Sequence, residues 1–272
     1  MTGRRHWLVL SACWHPAHTQ QRWRSGGLCG LQNFSALFDA SGDGGLVLKN
    51  TVLWSVMVIP GTVLAGLCLA VTLDRSFRGR TVFRTIFFLP AILSPVVIAF
   101  AWSWIFNPQL GIVSRTLEFF GAAPQGWLEQ PAVALPIAAS IEVWRIAGFF
   151  MLFYLAAMQL IPRDYYEAAS LDGASRWRQT RSITLPLLFP MTTLMLLFST
   201  INALRAFQMI WNLTQGGPNN ATSVASISIY QDAFVQYQPQ TAASMATILL
   251  IVGVLIAVAL ARLNARVNRS LR

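Results

Sequence analysis

Five long apolar runs constrain the fold of this chain more than any other feature of its sequence. A bilayer core of about 30 Å is crossed by about 20 apolar helical residues. Five runs reach that length, at residues 47–73, 82–106, 132–160, 186–207 and 241–261. None alternates polar and apolar residues as a strand would, and lipid cannot satisfy free backbone groups, so each run is expected to be helical. The sequence therefore predicts an all-α membrane protein with five transmembrane helices.

Composition supports the membrane assignment. Of the 272 residues, 55% are hydrophobic and 11% are charged, against about 25% charged in an ordinary soluble domain. A net charge of +10 is typical of nucleic-acid-binding proteins. The cations, however, lie in short clusters between the apolar runs, where membrane proteins carry them. We therefore expect contact with membrane lipid and no nucleic-acid partner.

The arginines are distributed unevenly between the segments that separate the runs. Segments 74–84 and 161–185 and the tail after residue 261 hold 12 arginines. The two intervening segments, 107–131 and 211–240, hold one. Cytoplasmic loops of membrane proteins carry the excess of Lys and Arg, so the three basic segments, including the C-terminus, are predicted to be cytoplasmic.

Residues 1–30 form an atypical N-terminal segment. It holds four arginines, and its only apolar patch, residues 7–14, is too short to cross a bilayer. Five spans with a cytoplasmic C-terminus would place this segment outside. It is either a defective signal sequence or what remains of a sixth span lost or altered at the start of the reading frame, and we favour the second interpretation. The transport domain is predicted to cover residues 31–272.

The basic loop at residues 162–186 predicts a helix–turn–helix on the cytoplasmic face. Asp164 is a candidate N-cap, and Glu167 three residues later completes a capping-box pattern. Gly173 is suited to a left-handed turn. A second helix can then run from Ser175 to the start of the next apolar run. From these residues alone, an ordinary amphipathic interfacial loop stays possible.

The spacing of fixed residues in this loop resembles the signature loop of binding-protein-dependent ABC importer permeases. The matching positions are Glu167, Ala168, Ala169, Gly173, Ile183, Leu185 and Pro186. In that family the loop is the coupling helix, which docks into a cleft of the ATP-hydrolysing subunit. The resemblance implies that Glu167 is the charged contact, that Ala168 and Ala169 form the close-packed face, and that Gly173 makes the turn.

Further stretches are similar to the carbohydrate branch of these permeases, the maltose-permease-like subunits. They are residues 83–90, residues 104–108 with Gly111, residues 213–218 followed by 220–222, and residues 31–34. The resemblance runs from about residue 31 to residue 266. It implies a type I permease bundle, which has six helices in the family, so the first helix is the one lost or altered here.

The resemblance also implies partners and a mechanism. This chain would be the transmembrane subunit of an ATP-driven importer in a bacterial inner membrane, working with a second homologous permease, two ATP-binding subunits and an extracytoplasmic solute-binding protein. ATP and Mg would bind to the ATPase subunits and no cofactor to this chain. The solute would be a sugar or sugar-like molecule; a disaccharide, an amino sugar, a polyol and a glycerophosphate all suit this branch.

The alternative to an ABC importer is a secondary transporter driven by an ion gradient. Such a protein would need intramembrane carboxylates as ion or proton sites. Glu142 is the only acid in the middle of a run, and Arg145 at i+3 is its expected partner. That structural pairing is favoured over contact of Arg145 with solute.

No motif in the sequence predicts an enzyme or a metal site. Phosphate-binding GxxxxGK[ST], HExxH and GxSxG patterns are absent, as is a paired-carboxylate arrangement. Cys13, Cys29 and Cys68 form no CxxC pair and no Cys/His cluster. We therefore predict no catalytic residue and no metal ligand in this chain.

Polar residues at membrane depth are the candidates for the solute path. Asn202, Arg205 and Gln208 are spaced i, i+3 and i+6 and are predicted to share one helix face that lines a cavity. Arg145 is a further candidate. The aromatic rings that could support a sugar are Trp144, Phe207 and Trp211, although single aromatics more often face lipid or the interface.

A glycine-rich turn lies in the segment predicted to be external. Gly216, Gly217 and Pro218 allow the backbone to turn close to a partner or to the solute. An ordinary reverse turn explains the same residues.

Overall fold

The computed structural model describes Phe34, Leu37 and residues 43–74, 78–121 and 123–270, with backbone alone for residues 263–270. Within these ranges the chain is helical and contains no strand. The atypical segment 1–30, and with it Cys13 and Cys29, lies outside the described residues. The helices are α1 (Gly44–Leu73), α2 (Arg80–Ile92), α3 (Pro95–Ile105), α4 (Ile112–Phe119), α5 (Pro131–Gln159), α6 (Arg163–Leu171), α7 (Arg176–Leu187), α8 (Phe189–Leu204), α9 (Gln208–Thr214), α10 (Ala225–Tyr230) and α11 (Pro239–Ser270).

Three of these helices are long and apolar enough to cross a membrane unaided. They are α1, α5 and the first 24 residues of α11. Two bent pairs, α2 with α3 and α7 with α8, also qualify when each pair is taken as one span. The described part of the chain therefore holds up to five spans, as predicted, and the all-α fold class is confirmed.

The second apolar run is not one straight helix, contrary to the expectation for residues 82–106. Helices α2 and α3 meet at an angle of 101°. Pro95 begins α3, and a proline disfavours helical geometry in the residue before it. Ser94 is accordingly extended, with φ −59° and ψ 134°, and its side chain accepts a hydrogen bond from the Val96 N–H. Hydropathy continues across this break although the helix does not.

The fourth run, predicted as residues 186–207, is also not one straight helix with those bounds. Helix α7 contains a π-helical turn at Thr180–Thr184 and meets α8 at 64°. Helix α8 starts at Phe189 and ends at Leu204. Arg205 caps it with φ −94° and ψ 10°, and a new helix begins at Gln208.

The bundle centres on α1 and α5, which run in the same direction. Apolar side chains from the first halves of both helices, including Trp54 and Leu135, form one buried cluster with residues of α9. Side chains from the second halves, including Val63 and Tyr154, form another with residues of α8. Glycines allow close approach: a Cβ added at Gly66 would lie 2.4 Å from the Cβ of Phe150. The N-terminal halves of α1 and α5 therefore lie side by side, and so do their C-terminal halves.

This parallel arrangement gives the bundle two distinct ends. One end carries the hairpin formed by α6 and α7, because α6 follows directly on α5. The opposite end carries the start of α1, where Val47 packs with Ala225 of α10 and Met245 of α11. The loop between α9 and α10 lies at this end too, because it leads directly into α10. The first end is called the hairpin end below, and the second the loop end.

Candidate functional site

Helix α6 carries the first half of the predicted signature loop, and its N-terminus differs from the prediction. The N-cap is Pro162 and not Asp164, and it makes no side-chain capping hydrogen bond. Asp164 lies within the first turn, where an acid is favoured by the helix dipole. The capping box with Glu167 is therefore wrong, which leaves the carboxylate of Glu167 exposed and available to another protein.

The C-terminus of α6 follows the predicted turn. Gly173 has φ +75°, the left-handed conformation that favours glycine. The N–H of Ala174 donates to the Ala169 carbonyl at 2.9 Å, and that of Gly173 donates to the Ser170 carbonyl at 3.1 Å. This pair of bonds is a Schellman motif. Ser175 then caps α7 by accepting from the Arg178 N–H, at the position where the second helix was predicted.

Side-chain bonds lock α6 against α7. The Tyr166 hydroxyl lies 3.0 Å from the Thr184 hydroxyl, which is buried in the π-helical turn. The Gln179 amide donates to the Ser170 hydroxyl at 2.9 Å and to the Ala174 carbonyl at 3.2 Å. Sequence reasoning missed Tyr166 and Thr184, because nothing in their spacing indicates that they meet. The two helices form one hydrogen-bonded unit, named here the coupling hairpin (residues 163–187).

The coupling hairpin presents an unpacked surface. Helix α6 has no buried residue, and Arg163, Tyr166, Glu167, Ser170 and Leu171 line a shallow depression along one side of it. Leu171 is 90% exposed and Trp177 in α7 is 70% exposed. Ala168 is exposed and Ala169 half-buried. The described part of the chain therefore leaves most of this surface uncovered.

The second half of the signature forms the link from the hairpin to the membrane. Ile183 lies in the π-helical turn and Leu185 directly after it, both half-buried. Pro186 is exposed and falls in the last α-helical turn before the 64° bend into α8. The signature residues therefore occupy one continuous unit, with Glu167 at its exposed side and Pro186 at its junction with a span.

The predicted ion pair in α5 is present. Arg145 donates to both carboxylate oxygens of Glu142, from Nε at 2.8 Å and from Nη2 at 2.6 Å. It is the only salt bridge within the described residues. Because the carboxylate is engaged in a bidentate pair, Glu142 is not a free intramembrane acid. Trp144, between them in sequence, is 45% exposed and forms a T-shaped pair with Trp102, with ring centroids 5.6 Å apart.

The three residues predicted to share one helix face do not lie on one helix. Asn202 is on α8, Arg205 caps its end, and Gln208 begins α9. The shared-face argument is therefore wrong, since the helix that it assumed ends at Leu204. All three side chains are nevertheless exposed and follow one another around the same junction. Within the described residues no acid pairs with Arg205.

Aromatic rings surround this junction. The rings of Phe207 and Trp211 are stacked, with their centroids 5.5 Å apart. The ring centroid of Tyr230 lies 5.2 Å from that of Phe207 and 5.0 Å from that of Trp211. Phe234 extends the group from the far side of Tyr230 at 5.5 Å. Phe207 and Trp211, considered singly in the sequence, thus belong to one cluster contributed by two segments of the chain.

An acid lies on the segment that carries this aromatic cluster. Asp232 follows α10 and accepts a hydrogen bond from the Ser228 hydroxyl at 3.3 Å. Burial raises the pKa of the Asp232 carboxyl above its ordinary value, and the bond from Ser228 partly opposes that rise. The Ser226 hydroxyl donates to the Ala206 carbonyl and so holds α10 against the junction. Within the described residues, Asp232 nevertheless forms no salt bridge with Arg205.

The predicted glycine turn lies at the loop end. Gly216 is buried with φ +90°, and Gly217 and Pro218 are half-buried and joined by a cis peptide bond. The turn is therefore folded into the bundle.

Comparison with known proteins assigns the family. The family model described as the binding-protein-dependent transport system inner membrane component matches residues 62–270. The chain belongs to this family. The match covers the coupling hairpin and every described span except the first half of α1, and the predicted resemblance to ABC importer permeases is confirmed.

Individual relatives refine the assignment. The sn-glycerol-3-phosphate transport system permease protein UgpA of Agrobacterium fabrum is 34% identical over 231 residues, 84% of this chain and 78% of that protein. The trehalose/maltose transport system permease protein MalF of Thermococcus litoralis is 37% identical over 177 residues, 65% of this chain and 60% of that protein. These relatives confirm the predicted carbohydrate branch.

A solved structure supports the same fold. The chain is similar, with a TM-score of 0.81 and 27% identity, to a chain of a bacterial alginate ABC transporter in complex with an alginate pentasaccharide-bound periplasmic protein. The similarity covers 88% of this permease and 83% of that chain. This permease is thus a multi-pass inner-membrane component of an ATP-driven importer, and the alternative of a secondary transporter is excluded.

Proposed function

We propose that this permease forms one half of a two-permease core that carries a sugar or sugar-like solute into the cytoplasm. Two ATP-binding subunits would hold ATP and Mg on the cytoplasmic side, and a solute-binding protein would deliver the solute from outside. The coupling hairpin with its unpacked surface carries this proposal, because no residue of α6 is buried by the described part of the chain. The names of the relatives, which mention trehalose, maltose and glycerol 3-phosphate, support the solute class.

The mechanism would follow from how the hairpin is attached. ATP-driven closure of the two ATP-binding subunits would displace α6, and the bonds from Tyr166 and Gln179 would make α7 move with it. Since α7 continues into α8 through the bend after Leu187, the displacement would reach the junction around Arg205 at the far end of α8. This chain would break no covalent bond itself. Co-purification of the chain with two ATP-binding subunits, and uptake that requires ATP hydrolysis, test the proposal.

Topology provides a direct test of the orientation. Reporter fusions at Arg80, Gln179 and Arg269 are expected to report the cytoplasm, and fusions at Gln125 and Asn219 the external side, because 12 arginines lie in the first set of segments and one in the second. Paired alkaline phosphatase and fluorescent-protein fusions measure this. A cytoplasmic signal at Asn219 would contradict the proposed orientation, since the coupling hairpin at the opposite end of the bundle would then lie outside.

The junction residues form the proposed solute path. The Asn202 amide donates to the Phe198 carbonyl of its own helix at 2.9 Å, which leaves its oxygen free, and the side chain of Gln208 makes no hydrogen bond within the described chain. Asn202→Ala and Gln208→Ala are each expected to raise the KM of uptake about 2- to 10-fold, the cost of one hydrogen bond to an uncharged group. Assembly and basal ATP hydrolysis should not change.

Control variants separate solute contact from assembly. Gln109→Ala removes another exposed amide, in the segment between α3 and α4, and should leave KM unchanged. Arg205→Ala is expected to reduce complex yield if an acid of the partner permease neutralises Arg205, and to reduce uptake alone if Arg205 binds solute. Unchanged uptake in both amide variants would remove the junction from the solute path.

A further inference from the structure

A buried amide at the loop end ties α1 to the loop that joins α9 to α10. Asn50 lies in the second turn of α1, between Lys49 and Thr51, and is 4% exposed. Its Nδ2 donates to the carbonyl of Asn220 at 2.9 Å and to that of Ser223 at 3.2 Å. One side chain thus uses both of its N–H groups on a segment that is 170 residues distant in sequence. Residues 215–224 are called the outer loop below.

Two further bonds extend this attachment on either side of Asn50. The Asn220 amide donates to Asp43 Oδ2 at 2.6 Å, immediately before α1 begins. The N–H of Ala225 donates to the Thr51 hydroxyl at 2.9 Å. The outer loop is therefore bonded to α1 and its N-cap at three places: at Asn220 beside the tip, at Ser223, and at Ala225, where the loop leads into α10.

The outer loop is also braced internally. The buried Thr222 hydroxyl donates to the Gly217 carbonyl at 2.7 Å, and the Thr222 N–H donates to the Gly216 carbonyl at 3.2 Å. Four of the eight positive-φ residues in the described chain fall within this loop, and they are Gln215, Gly216, Asn219 and Asn220. Non-glycine residues adopt this conformation at a cost, and such costs cluster at functional sites.

The bracing leaves one residue exposed at the tip of the outer loop. Asn219, at φ +48°, is the only exposed residue between Gly216 and Ser223. The tip is therefore an uncharged amide, and the segment from Trp211 to Gln240 around it carries no cation. A tip fixed in this way pays little entropy to bind a partner.

We propose that Asn50 is a positioning residue, which holds the tip of the outer loop in the conformation that docks the solute-binding protein. This inference rests on the proposed function, because it needs the loop end to be external and solute to arrive on a binding protein. Asn50 touches neither partner nor solute and acts through the loop. Asp43 supports the same loop conformation from the exposed side, by accepting the hydrogen bond from the Asn220 amide.

Two variants test the attachment with different risks to folding. Asn50→Leu keeps the volume of the side chain but leaves two carbonyls without a donor. Asp43→Ala removes an exposed acceptor, so the variant should fold normally even if Asn50→Leu does not. The control is Thr62→Val, at a residue of the same helix outside the outer loop. It breaks the buried hydrogen bond of 2.8 Å between the Thr62 hydroxyl and the Ser199 hydroxyl of α8.

The readouts are the affinity for the solute-binding protein and the motion of the loop tip. Complexes in lipid nanodiscs are titrated with the solute-binding protein that co-purifies with the wild-type complex. Spin-label spectra are recorded from a nitroxide attached after Asn219→Cys, in a background where the native cysteines are replaced by serine. Asn50→Leu is expected to weaken binding about tenfold or more and to mobilise the label, and Asp43→Ala to act in the same direction more weakly.

Each outcome decides the proposal. Normal affinity in both Asn50→Leu and Asp43→Ala overturns it, and so does an unchanged label spectrum. Equal weakening by Thr62→Val also overturns it, since the effect would then be general destabilisation. If Asn50→Leu does not assemble, Asp43→Ala alone decides. A wild-type complex that binds no solute-binding protein overturns the proposed function as well, whereas normal binding by Asn50→Leu and Asp43→Ala overturns this proposal alone.

Discussion

Replacing Glu167 with lysine is expected to leave the permease in the membrane but to uncouple ATP hydrolysis from solute uptake. The carboxylate is exposed and has no ion pair within the described chain, so its loss costs the isolated permease little. In the complex, a lysine would place a positive charge in the contact and leave the partner's groups unpaired. Truncation of a dominant contact residue weakens binding about tenfold or more, and charge reversal should do at least as much.

The measurement compares two rates in the same proteoliposomes. Solute uptake should fall about tenfold or more, while ATP hydrolysis loses its dependence on the solute-binding protein. Glu118→Lys is the control, because it makes the same charge change at an exposed helical position outside the coupling hairpin. Uptake and ATPase binding that match the wild type in Glu167→Lys would remove this residue from the coupling contact.

Gly173 allows the geometry of the hairpin to be tested without touching its contact face. Gly173→Asp places a side chain at φ +75°, where nothing lies within 4 Å of an added Cβ, so the cost is backbone strain of about 1 kcal/mol. Gly79→Asp also places a side chain at positive φ, +92°, in the loop before α2, and no described atom lies within 4 Å of an added Cβ there. Uncoupling by Gly173→Asp but not by Gly79→Asp would show that the turn sets the position of α6.

The sequence predicted well those features that depend on local chemistry. The spans α1 and α5 followed from apolar length, the turn at Gly173 from the absence of a Cβ, and the Glu142–Arg145 pair from i,i+3 spacing. Each of these depends on residues that are neighbours along the chain. Hydropathy, propensity and spacing describe such neighbours directly.

The errors share a different origin. Hydropathy does not distinguish a straight helix from a bent one, so the 101° break at Ser94 was missed although Pro95 was a visible signal. No proline or glycine marks the end of α8 at Leu204. There the chain turns where Ser226, 20 residues later, binds the Ala206 carbonyl. The contacts of Asn50 were equally beyond reach, because they span 170 residues, yet a lone amide in an apolar run was a signal that could have been followed.

Close backbone packing, which no sequence pattern revealed, leads to the second large effect. Helix α2 crosses α5 at Gly148, where an added Cβ would lie 1.8 Å from the carbonyl oxygen of Phe87 and 2.4 Å from its carbonyl carbon. Van der Waals contact requires about 3.5 Å. The obstacle is backbone inside a helix and cannot rotate aside, so either the helices separate or the bend between α2 and α3 changes.

Gly148→Ala is therefore expected to destabilise the permease by about 3 kcal/mol, the upper part of the range for overpacked cores, and to lower the yield of assembled complex. This loss must exceed the gain of about 1 kcal/mol that alanine gives over glycine in a helix. Gly253→Ala is the matched control, since it makes the same change inside α11, where the nearest atom, at 3.2 Å, is the end of the flexible Leu204 side chain. Thermal unfolding of detergent-purified complexes, followed by size-exclusion chromatography, measures both. Equal stability of the two variants would mean that α2 and α5 do not meet at Gly148, and the crossing that places the bent pair against the bundle would then be wrong.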